Sequence, residues 1–490
     1  MQRSVVIIGS GFAGLSAATF MAKAGWKVNV IEKNATAGGR ARQLKQDGFA
    51  FDMGPSWYWM PDVFERYFAQ FNKKVSDYYT LQRLNPSYRV YWNNDFTDIP
   101  ADYKQLQHIF ESIEPGSAAK LDKYLEEAAY KYQVGVGKLV YKPGLSITEF
   151  LDWQIIKGAF RLDVVTSIHK HINAHFKNEK LRRLMEFPIL FLGALPRNTP
   201  ALYSLMNYAD IKGGTWYPQG GMYSVVEGMY KLAKELAVEF HFEEDVKEIV
   251  VENGKANKII TTKGLYEPDA VISSADYHFT ETALLAEQYR SYTNEYWSKR
   301  VMAPSCLLYY IGLNKKLQNI RHHSLFFDVP FDQHADEIYS EPQWPSDPLF
   351  YVSVNSVTDK SVAPEGCDNI VFLVPIAAGL EGDTEELRKK YFDMILQRME
   401  KRIGQNISDS IVYSKTFSVS DFVHDYNSFR GNAYGLANTL KQTAIFRPSC
   451  RSRKVKNLFY TGQLTVPGPG VPPALISGEV VALEVLKSFR

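Results

Sequence analysis

The glycine-rich stretch that follows the first few residues constrains the fold of this chain more than any other segment. A short apolar run from Val5 to Ile8 has the pattern of a buried parallel strand, and it leads at once into glycines spaced as in a dinucleotide-binding turn. The turn consists of Gly9, Ser10, Gly11, Phe12, Ala13 and Gly14. Small and apolar residues typical of a helix follow. We therefore predict a strand, a tight turn and a helix whose N-terminus binds a pyrophosphate.

Each glycine of this turn has its own predicted role. Gly9 permits the turn, Gly11 leaves the backbone bare so that a pyrophosphate can approach, and Gly14 lets the helix pack on the strand. A second predicted strand ends at Glu32, where a carboxylate can accept hydrogen bonds from an adenosine ribose. Its neighbour Lys33 is a further candidate for the same site.

The residues after the second strand favour FAD over NAD. The pair Gly38 and Gly39 is followed by Arg40 and, two residues later, by Arg42. More bare backbone together with guanidinium groups suits a diphosphate that stays bound. We therefore expect Gly39, Arg40 and Arg42 to contact the cofactor.

The far end of the chain contains what we interpret as the other half of the same site. The stretch from Leu458 to Gly462 is typical of a buried strand, and a proline- and glycine-rich loop then leads into an apolar helix from Ala474 to Leu486. Prolines suit the first turn of a helix, and the positive end of its dipole can stabilise a reduced flavin. Further candidates for cofactor contact are Gly462, Gln463, Val471 and Pro472.

These motifs, in this order, resemble the bacterial phytoene desaturases, which are FAD-dependent carotenoid desaturases of the monoamine-oxidase-like flavoproteins. The resemblance covers essentially the whole chain. Besides the segments above, it rests on Phe51-Asp-Met-Gly-Pro55 and on Trp216-Tyr-Pro-Gln-Gly-Gly-Met222. It implies that Gly54, Pro55 and Ser56 lie along the flavin and that the backbone at Val246 faces the adenine.

The same resemblance implies an α/β fold in which the domains are interleaved. We expect a Rossmann-type FAD-binding domain, a mixed sheet-plus-helix substrate domain and a helical, membrane-facing subdomain. The FAD-binding domain takes residues 1–75, 216–275 and 447–490. Residues 76–215 form part of the substrate domain and the helical subdomain, and residues 276–446 form the rest of the substrate domain.

Composition excludes several other classes of protein. The chain has 490 residues, 45% of them hydrophobic, and a net charge of +2 that is too small to imply nucleic acid as a partner. Its three cysteines have no metal-ligand spacing, and no metal is expected. The first apolar run is too short for a secretion signal, and no apolar stretch reaches the roughly 20 residues of a membrane-spanning helix. We expect a cytoplasmic protein.

One stretch suggests a contact with the inner face of the cell membrane. A basic run from Lys170 to Arg183 precedes an apolar segment from Phe187 to Leu195. Lysine and arginine attract anionic headgroups while an apolar segment enters the acyl boundary, so the pair is typical of peripheral membrane association. A buried core helix explains the apolar segment almost as well.

The predicted reaction is the dehydrogenation of a linear hydrophobic polyene by hydride transfer to FAD. The resemblance implies phytoene as the substrate and lycopene as the end point, with oxygen or a quinone accepting the electrons. No catalytic residue stands out, because the cofactor supplies the difficult chemistry. Three alternatives remain: a desaturase of a C30 or hydroxylated carotenoid, a flavin amine oxidase, and a non-enzymatic lipid carrier of the same fold. The segment from Gly462 to Pro467 lacks the cysteine and the aromatic residues usual in the amine oxidases.

Overall fold

The computed structural model describes residues 2–150, 163, 166–190 and 193–490. Its strands fall into two larger sheets and three short ribbons. The strands are β1 (Ser4–Ile8), β2 (Lys27–Ile31), β3 (Gln43–Gln46), β4 (Phe49–Asp52), β5 (Leu81–Arg83), β6 (Tyr88–Tyr91), β7 (Phe96–Ile99), β8 (Trp216–Pro218), β9 (Glu239–His241), β10 (Val246–Glu252), β11 (Lys255–Thr261), β12 (Leu265–Tyr266), β13 (Ala270–Ser273), β14 (Ser305–Leu313), β15 (His323–Phe326), β16 (Phe350–Ser353), β17 (Asp368–Ile376), β18 (Ile411–Phe417) and β19 (Leu458–Tyr460).

The helices vary from a single turn to 19 residues. Within the described ranges they are α1 (Phe12–Lys23), α2 (Pro61–Ala69), α3 (Tyr103–Ile113), α4 (Ser117–Gly135), α5 (Ile168–His175), α6 (Glu179–Leu190), α7 (Leu205–Ile211), α8 (Tyr223–Glu235), α9 (Tyr277–Phe279), α10 (Asn294–Ser298), α11 (Phe331–Tyr339), α12 (Glu385–Ile403), α13 (Val419–Tyr426) and α14 (Val471–Ser488).

The first large sheet is parallel and has the strand order β19-β13-β1-β2-β9. Its strands come from the beginning, the middle and the end of the chain. Strand β1 is buried along its apolar residues, as expected for a parallel sheet that is covered on both faces. The Rossmann-type arrangement is confirmed. The carboxyl ends of β1 and β19 lie at the same edge of the sheet, where α/β proteins of this kind bind ligands.

The second large sheet is mostly antiparallel, in the order β18-β14-β17-β16-β15-β6-β7. One face packs against the buried side of α12, which includes Tyr391 and Ile395. On the other face the strand register places four apolar and aromatic side chains in a row, because Leu325 pairs with Tyr351, Tyr351 with Leu373, and Leu373 with Leu308. This row forms part of the wall of the cavity described below.

The helix that follows Met222 ends earlier than its sequence pattern predicts. Apolar residues at helical spacing, from Val225 to Ala237, predict a helix as far as about Phe240, but α8 ends at Glu235. Ala237 adopts a left-handed backbone conformation with φ of 62°, which terminates the helix. The next residues form β9, the fifth strand of the parallel sheet, with Phe240 paired with Val30. These residues pair with the free edge of β2, and this pairing stabilises a strand in place of the helix that the apolar spacing predicts.

Helices α1 and α14 hold the two ends of the chain together. Ser16 donates a hydrogen bond to the carbonyl of Leu475 at 2.7 Å. Gly478 faces the backbone of α1 so closely that a Cβ atom there would lie 2.4 Å from the carbonyl oxygen of Ala13. The close approach positions the N-termini of both helices at the same edge of the parallel sheet.

The apolar segment after the basic run is buried in the structure. Phe187, Ile189 and Leu195 are at most 5% exposed, and residues 191 and 192 lie outside the described residues. The alternative of core burial therefore describes these three residues, of which Phe187 and Ile189 lie in α6, and their side chains do not form the apolar surface that the membrane prediction needs. Within the described ranges, no helix is long and apolar enough to cross a bilayer.

Candidate functional site

A single cavity of about 450 Å³ extends from the glycine-rich turn to the apolar row on the second sheet. It brings together residues from both ends of the chain and from the middle. Of the residues predicted to contact the cofactor, those that line it are Gly9, Ser10, Gly11, Phe12, Ala13, Glu32, Lys33, Gly39, Arg40, Gly54, Pro55, Ser56, Val246, Gly462, Gln463, Val471 and Pro472.

Two predicted contact residues do not line this cavity. Gly14 faces the turn instead, and a Cβ atom there would lie 2.1 Å from the carbonyl oxygen of Gly9, so its role is the packing of α1 on β1. Arg42 points away and forms an ion pair of 2.5 Å with Asp425. It also donates to Tyr426 and Asn34. Arg42 thus fixes α13 beside the loop that contains Arg40.

The N-terminus of α1 is open toward the cavity. Gly11 precedes the helix without a side-chain cap, and the first turn has no acidic residue. A Cβ atom built on Gly11 would meet no protein atom within 4 Å, so the space beside it belongs to the cavity. Free backbone N–H groups at the positive end of a helix dipole bind phosphate. This part of the site fits the pyrophosphate of FAD.

Glu32 is buried beside the turn and already accepts four hydrogen bonds. One carboxylate oxygen accepts from the backbone N–H and the hydroxyl of Ser10, at 2.9 and 2.7 Å. The other accepts from the backbone N–H and the side-chain amide of Asn34, at 2.9 and 2.8 Å. A ribose hydroxyl therefore has to share or replace one of the two side-chain donors. Glu32 also holds the turn and the residue after β2 in place.

Arg40 lies between the turn and the C-terminal half of the site. It donates to the hydroxyl of Ser428 at 2.9 Å, while its Nε–H is buried without a partner among the described residues. Burial lowers the pKa of Arg40, which Asp276 counteracts. A buried guanidinium with an unused donor fits an anionic group in the cavity. Gly54 contacts the same loop, since a Cβ atom on it would lie 2.3 Å from the Arg40 carbonyl oxygen.

The C-terminal half of the site is built on the loop between β19 and α14. The backbone N–H of Gly462 donates to the hydroxyl of Ser477 at 3.0 Å, which ties the end of β19 to α14. Gly470 precedes α14 with φ of 110° and provides no side-chain cap. The N-terminus of this second helix is therefore also available to a ligand, as the sequence predicts.

The remaining walls of the cavity are apolar. Trp57 and Trp59 line it and form part of this wall, while Tyr58 between them is buried in the core. The ring of Trp57 stacks on His323 at 4.1 Å between centroids. Phe187 also lines the cavity. Flat aromatic surfaces of this kind suit a long hydrocarbon.

The sequence motifs identify no individual residue in the part of the cavity wall that residues 304–375 and 433–434 form. Further cavity residues there include Cys306, Phe327, Phe331, His334, Ala335, Ile338, Tyr339, Leu349, Tyr351 and Tyr434. The sequence does indicate the buried face of α11, because the side chains that line the cavity recur at helical spacing from Phe331 to Tyr339. Nothing local in the sequence indicates which cavity that face lines.

The fold and the cavity define a flavin-dependent oxidoreductase with an apolar substrate site, and comparisons with known proteins agree. The model of the family "Flavin containing amine oxidoreductase" matches residues 12–486. A carotenoid 3,4-desaturase of Haloarcula japonica is 42% identical over 489 residues, covering 99% of this chain and 98% of the relative. A zeta-carotene-forming phytoene desaturase of Myxococcus xanthus is 31% identical over 487 residues, covering 98% and 93%.

Solved structures with low sequence identity share the fold. An oxidoreductase from Methanosarcina mazei has a TM-score of 0.65 at 15% identity, covering 99% of this chain and 100% of that one. A fatty acid isomerase from P. acnes has a TM-score of 0.60 at 15% identity, covering 99% and 98%.

The chain belongs to the flavin-containing amine oxidoreductase family, in its group of FAD-dependent carotenoid desaturases. It is an enzyme that oxidises CH–CH groups, and its cofactor is FAD.

Proposed function

We propose that this protein introduces conjugated double bonds into a linear carotenoid by removing hydrogen from neighbouring carbon atoms. The observation that carries the proposal is the continuity of the cavity, which joins both halves of the dinucleotide site to the apolar row of Leu308, Leu325, Tyr351 and Leu373. A hydrocarbon in such a cavity is shielded from water beside the cofactor.

When it is bound, FAD supplies the hydride acceptor. The residues of the chain position the substrate. Leu325 and Leu373 support one side of an extended polyene, and Trp57 provides a flat surface. His334 is a poor base, because its Nε2 faces the Pro375 carbonyl at 2.8 Å and its Nδ1 accepts from the Leu349 N–H at 3.0 Å. Burial lowers the pKa of His334 to about 4.

Two carotenoid reactions are candidates. The conversion of phytoene to lycopene stays a prediction from the family resemblance. A second candidate is 3,4-desaturation of a polyene that is already conjugated, and the 42% identity to the Haloarcula japonica enzyme favours it. Both reactions use the same cavity and the same hydride transfer, and they differ in which carbon–carbon bond lies beside the flavin.

The test is turnover by the purified protein with FAD in lipid vesicles that contain either phytoene or lycopene. Conversion of phytoene gives the three-peaked absorption of lycopene, whereas 3,4-desaturation of lycopene shifts its absorption to longer wavelength. Gly11→Val is the control that blocks the cofactor. Turnover of an amine with both polyenes unchanged would overturn the proposal.

We also propose that the electrons leave the reduced flavin for oxygen or a quinone, since the reaction needs a terminal oxidant. Turnover in the absence of oxygen, with and without an added soluble quinone, distinguishes the two. Activity without either acceptor contradicts this proposal.

Finally, we propose that the protein works at the cytoplasmic face of the cell membrane, where a carotenoid partitions. In the basic run, Lys180 pairs with Asp95 and Arg183 with Asp332, which leaves Lys170 and Lys177 as the exposed lysines. Binding that depends on these two lysines weakens as salt screens the headgroup charge.

Flotation with anionic vesicles at low and high salt tests this proposal. Lys170→Ala with Lys177→Ala should reduce the bound fraction, while Lys390→Ala on the exposed side of α12 should not. Absence of flotation at low salt would refute it.

A further inference from the structure

Arg447 is a buried arginine that lacks a carboxylate partner. Its side chain is enclosed by the fold, and the residue is only 4% exposed. Two other arginines of the described residues are buried to a similar degree, and both are paired. Arg89 contacts Asp98 at 2.6 Å. Arg388 contacts Asp383 at 2.7 Å. Arg447 forms no ion pair with a carboxylate in the part of the chain that the structure describes, so nothing there cancels its charge.

The hydrogen bonds of Arg447 link the loop between β19 and α14 to a neighbouring segment of the chain. One terminal guanidinium nitrogen donates to the carbonyl of Gln463 at 3.3 Å and to that of Thr465 at 3.5 Å. The other donates to the carbonyl of Leu436 at 3.2 Å and to the side-chain oxygen of Asn438. The Nε–H is buried without a partner among the described residues. Four neutral acceptors thus hold the guanidinium in place without neutralising it.

This loop lies between Arg447 and the cofactor cavity. Gln463 and Thr465 line the cavity, whereas Arg447 does not. Gly468 permits the close approach from behind, since a Cβ atom there would lie 3.0 Å from the guanidinium. The same loop leads into α14, whose N-terminus also faces the cavity. The charge of Arg447 and the dipole of α14 therefore make the same part of the cofactor site positive.

Arg447 keeps its positive charge at neutral pH. Burial lowers its pKa to about 10, and Tyr203 and Tyr296 counteract this shift. A buried charge without a counter-charge is unfavourable in the folded protein. Because a low local dielectric screens it poorly, such a charge acts strongly on any charge that develops nearby. Reduction of a flavin adds negative charge to its ring system, and a fixed positive charge beside the ring stabilises that form.

We propose that Arg447 is a positioning residue that stabilises the reduced form of FAD relative to the oxidised form. It holds the loop between β19 and α14 and places an uncancelled positive charge behind that loop. The consequence is a higher reduction potential, which favours the uptake of a hydride from a carbon–hydrogen bond. The inference rests on FAD as the cofactor and not on which polyene is oxidised, so its test needs no substrate.

The test is the two-electron reduction potential of the FAD-loaded protein, measured by equilibration with a reference dye. Arg447→Met removes the charge and keeps an unbranched side chain. At an effective dielectric constant of about 20, a unit charge acting over roughly 10 Å changes the reduction equilibrium on the order of tenfold. The potential should therefore fall by about 30 mV. Arg447→Lys keeps the charge and should restore most of the potential. Lys441→Met removes a positive charge at an exposed position and is the control that should change nothing.

A second pair of variants tests the charge without altering Arg447. Asn438→Asp places a carboxylate against the guanidinium, so it cancels the charge while the hydrogen bond is kept. The potential should fall by an amount similar to that of Arg447→Met. Asn438→Ala removes the same hydrogen bond without adding a charge and should leave the potential unchanged. This pair decides the question if Arg447→Met does not fold.

A purely structural role of Arg447 predicts a different result. A loop that is merely loosened binds oxidised and reduced FAD equally less well, which lowers the FAD content and leaves the potential unchanged. That result would overturn the inference, as would a fall in Arg447→Lys that equals the fall in Arg447→Met. An unchanged or higher potential in Asn438→Asp also refutes it. Turnover of the polyenes decides the proposed function separately, so the two failures are distinguishable.

Discussion

The carboxylate of Asp52 accepts a hydrogen bond from the backbone N–H of Met222 at 2.8 Å, although 170 positions separate the two residues. It also accepts from the N–H of Tyr223 at 3.1 Å, so a side chain from β4 caps the N-terminus of α8. Gly221 permits this contact, since a Cβ atom there would lie 2.6 Å from the same carboxylate. The contact joins two segments that are distant in sequence, β4 and the start of α8, and it holds in place the residues that lead from β4 to Gly54.

Removal of this cap should destabilise the protein. Asp52→Ala leaves one buried and one part-buried backbone donor without a partner, and we expect a loss of about 1–3 kcal/mol in the free energy of unfolding. Urea denaturation followed by circular dichroism measures it. Glu365→Ala, at an exposed position, is the control and should change the stability by less than about 0.5 kcal/mol. Equal effects of the two substitutions would contradict the role of Asp52.

Asp52 should also make stability depend on pH. Burial raises its pKa from 3.8 to about 7 in the folded protein, so the folded state binds the proton more tightly than the unfolded chain. The resulting stabilisation is fully present below the unfolded pKa and is lost as pH rises through the folded value. Asp210 also has a raised pKa because of burial, so only a difference between variants isolates Asp52.

The measurement is the melting temperature of the unchanged protein and of Asp52→Asn at several pH values between 5 and 8. The stability of the unchanged protein relative to the variant should decrease across this range. A relative stability that is constant or rises with pH would show that the carboxyl is ionised throughout.

Two glycines of the same turn should respond differently to substitution. Gly11 has φ of −69° and open space at its Cβ position, so Gly11→Val should fold normally and lose FAD. Gly14→Ala places a methyl group against the Gly9 carbonyl and should impair folding itself. Absorbance near 450 nm relative to 280 nm reports FAD, and the melting temperature reports folding. A Gly11→Val protein with full flavin content would disprove our assignment of the pyrophosphate site.

Gly478 should be needed for the contact between α1 and α14. Gly478→Ala gains up to about 1 kcal/mol of helix propensity, but its methyl group collides with Ala13 and Ser16, and overpacking costs about 1–3 kcal/mol. We therefore expect a net loss of stability together with weaker FAD retention, measured by thermal unfolding and flavin release. Leu483→Ala, at a position of α14 that is 45% exposed, is the control and should leave both unchanged. A Gly478→Ala protein as stable as the original would contradict the close packing.

The local parts of the cofactor site could be predicted from the sequence. The strand from Val5, the turn at Gly9, and the strand and helix that flank Gly462 all occur where their patterns indicate. Each of these depends on neighbours within a few residues, such as a run of apolar side chains or a glycine with positive φ. Short-range sterics and burial are therefore enough to specify them.

Other features depend on contacts that the sequence order does not reveal. Phe240 belongs to a strand because the edge of β2 was free to pair with it. Arg42 forms an ion pair with Asp425 because α13 lies beside it, and Phe187 is buried because it faces Trp57 at 5.7 Å. Each of these partners lies over 100 positions away along the chain.

By itself the sequence predicted a dinucleotide site with one half at each end of the chain, since each half is a local strand, turn and helix. Only the tertiary structure decided what the cofactor faces. The cavity wall combines β14 to β17, α11 and Trp57, and the Tyr339 hydroxyl is buried only because its surroundings come together from distant parts of the chain. Whether a side chain is buried depends on the residues that pack around it in the folded protein. The order of residues along the chain does not show which helices and sheets pack against each other.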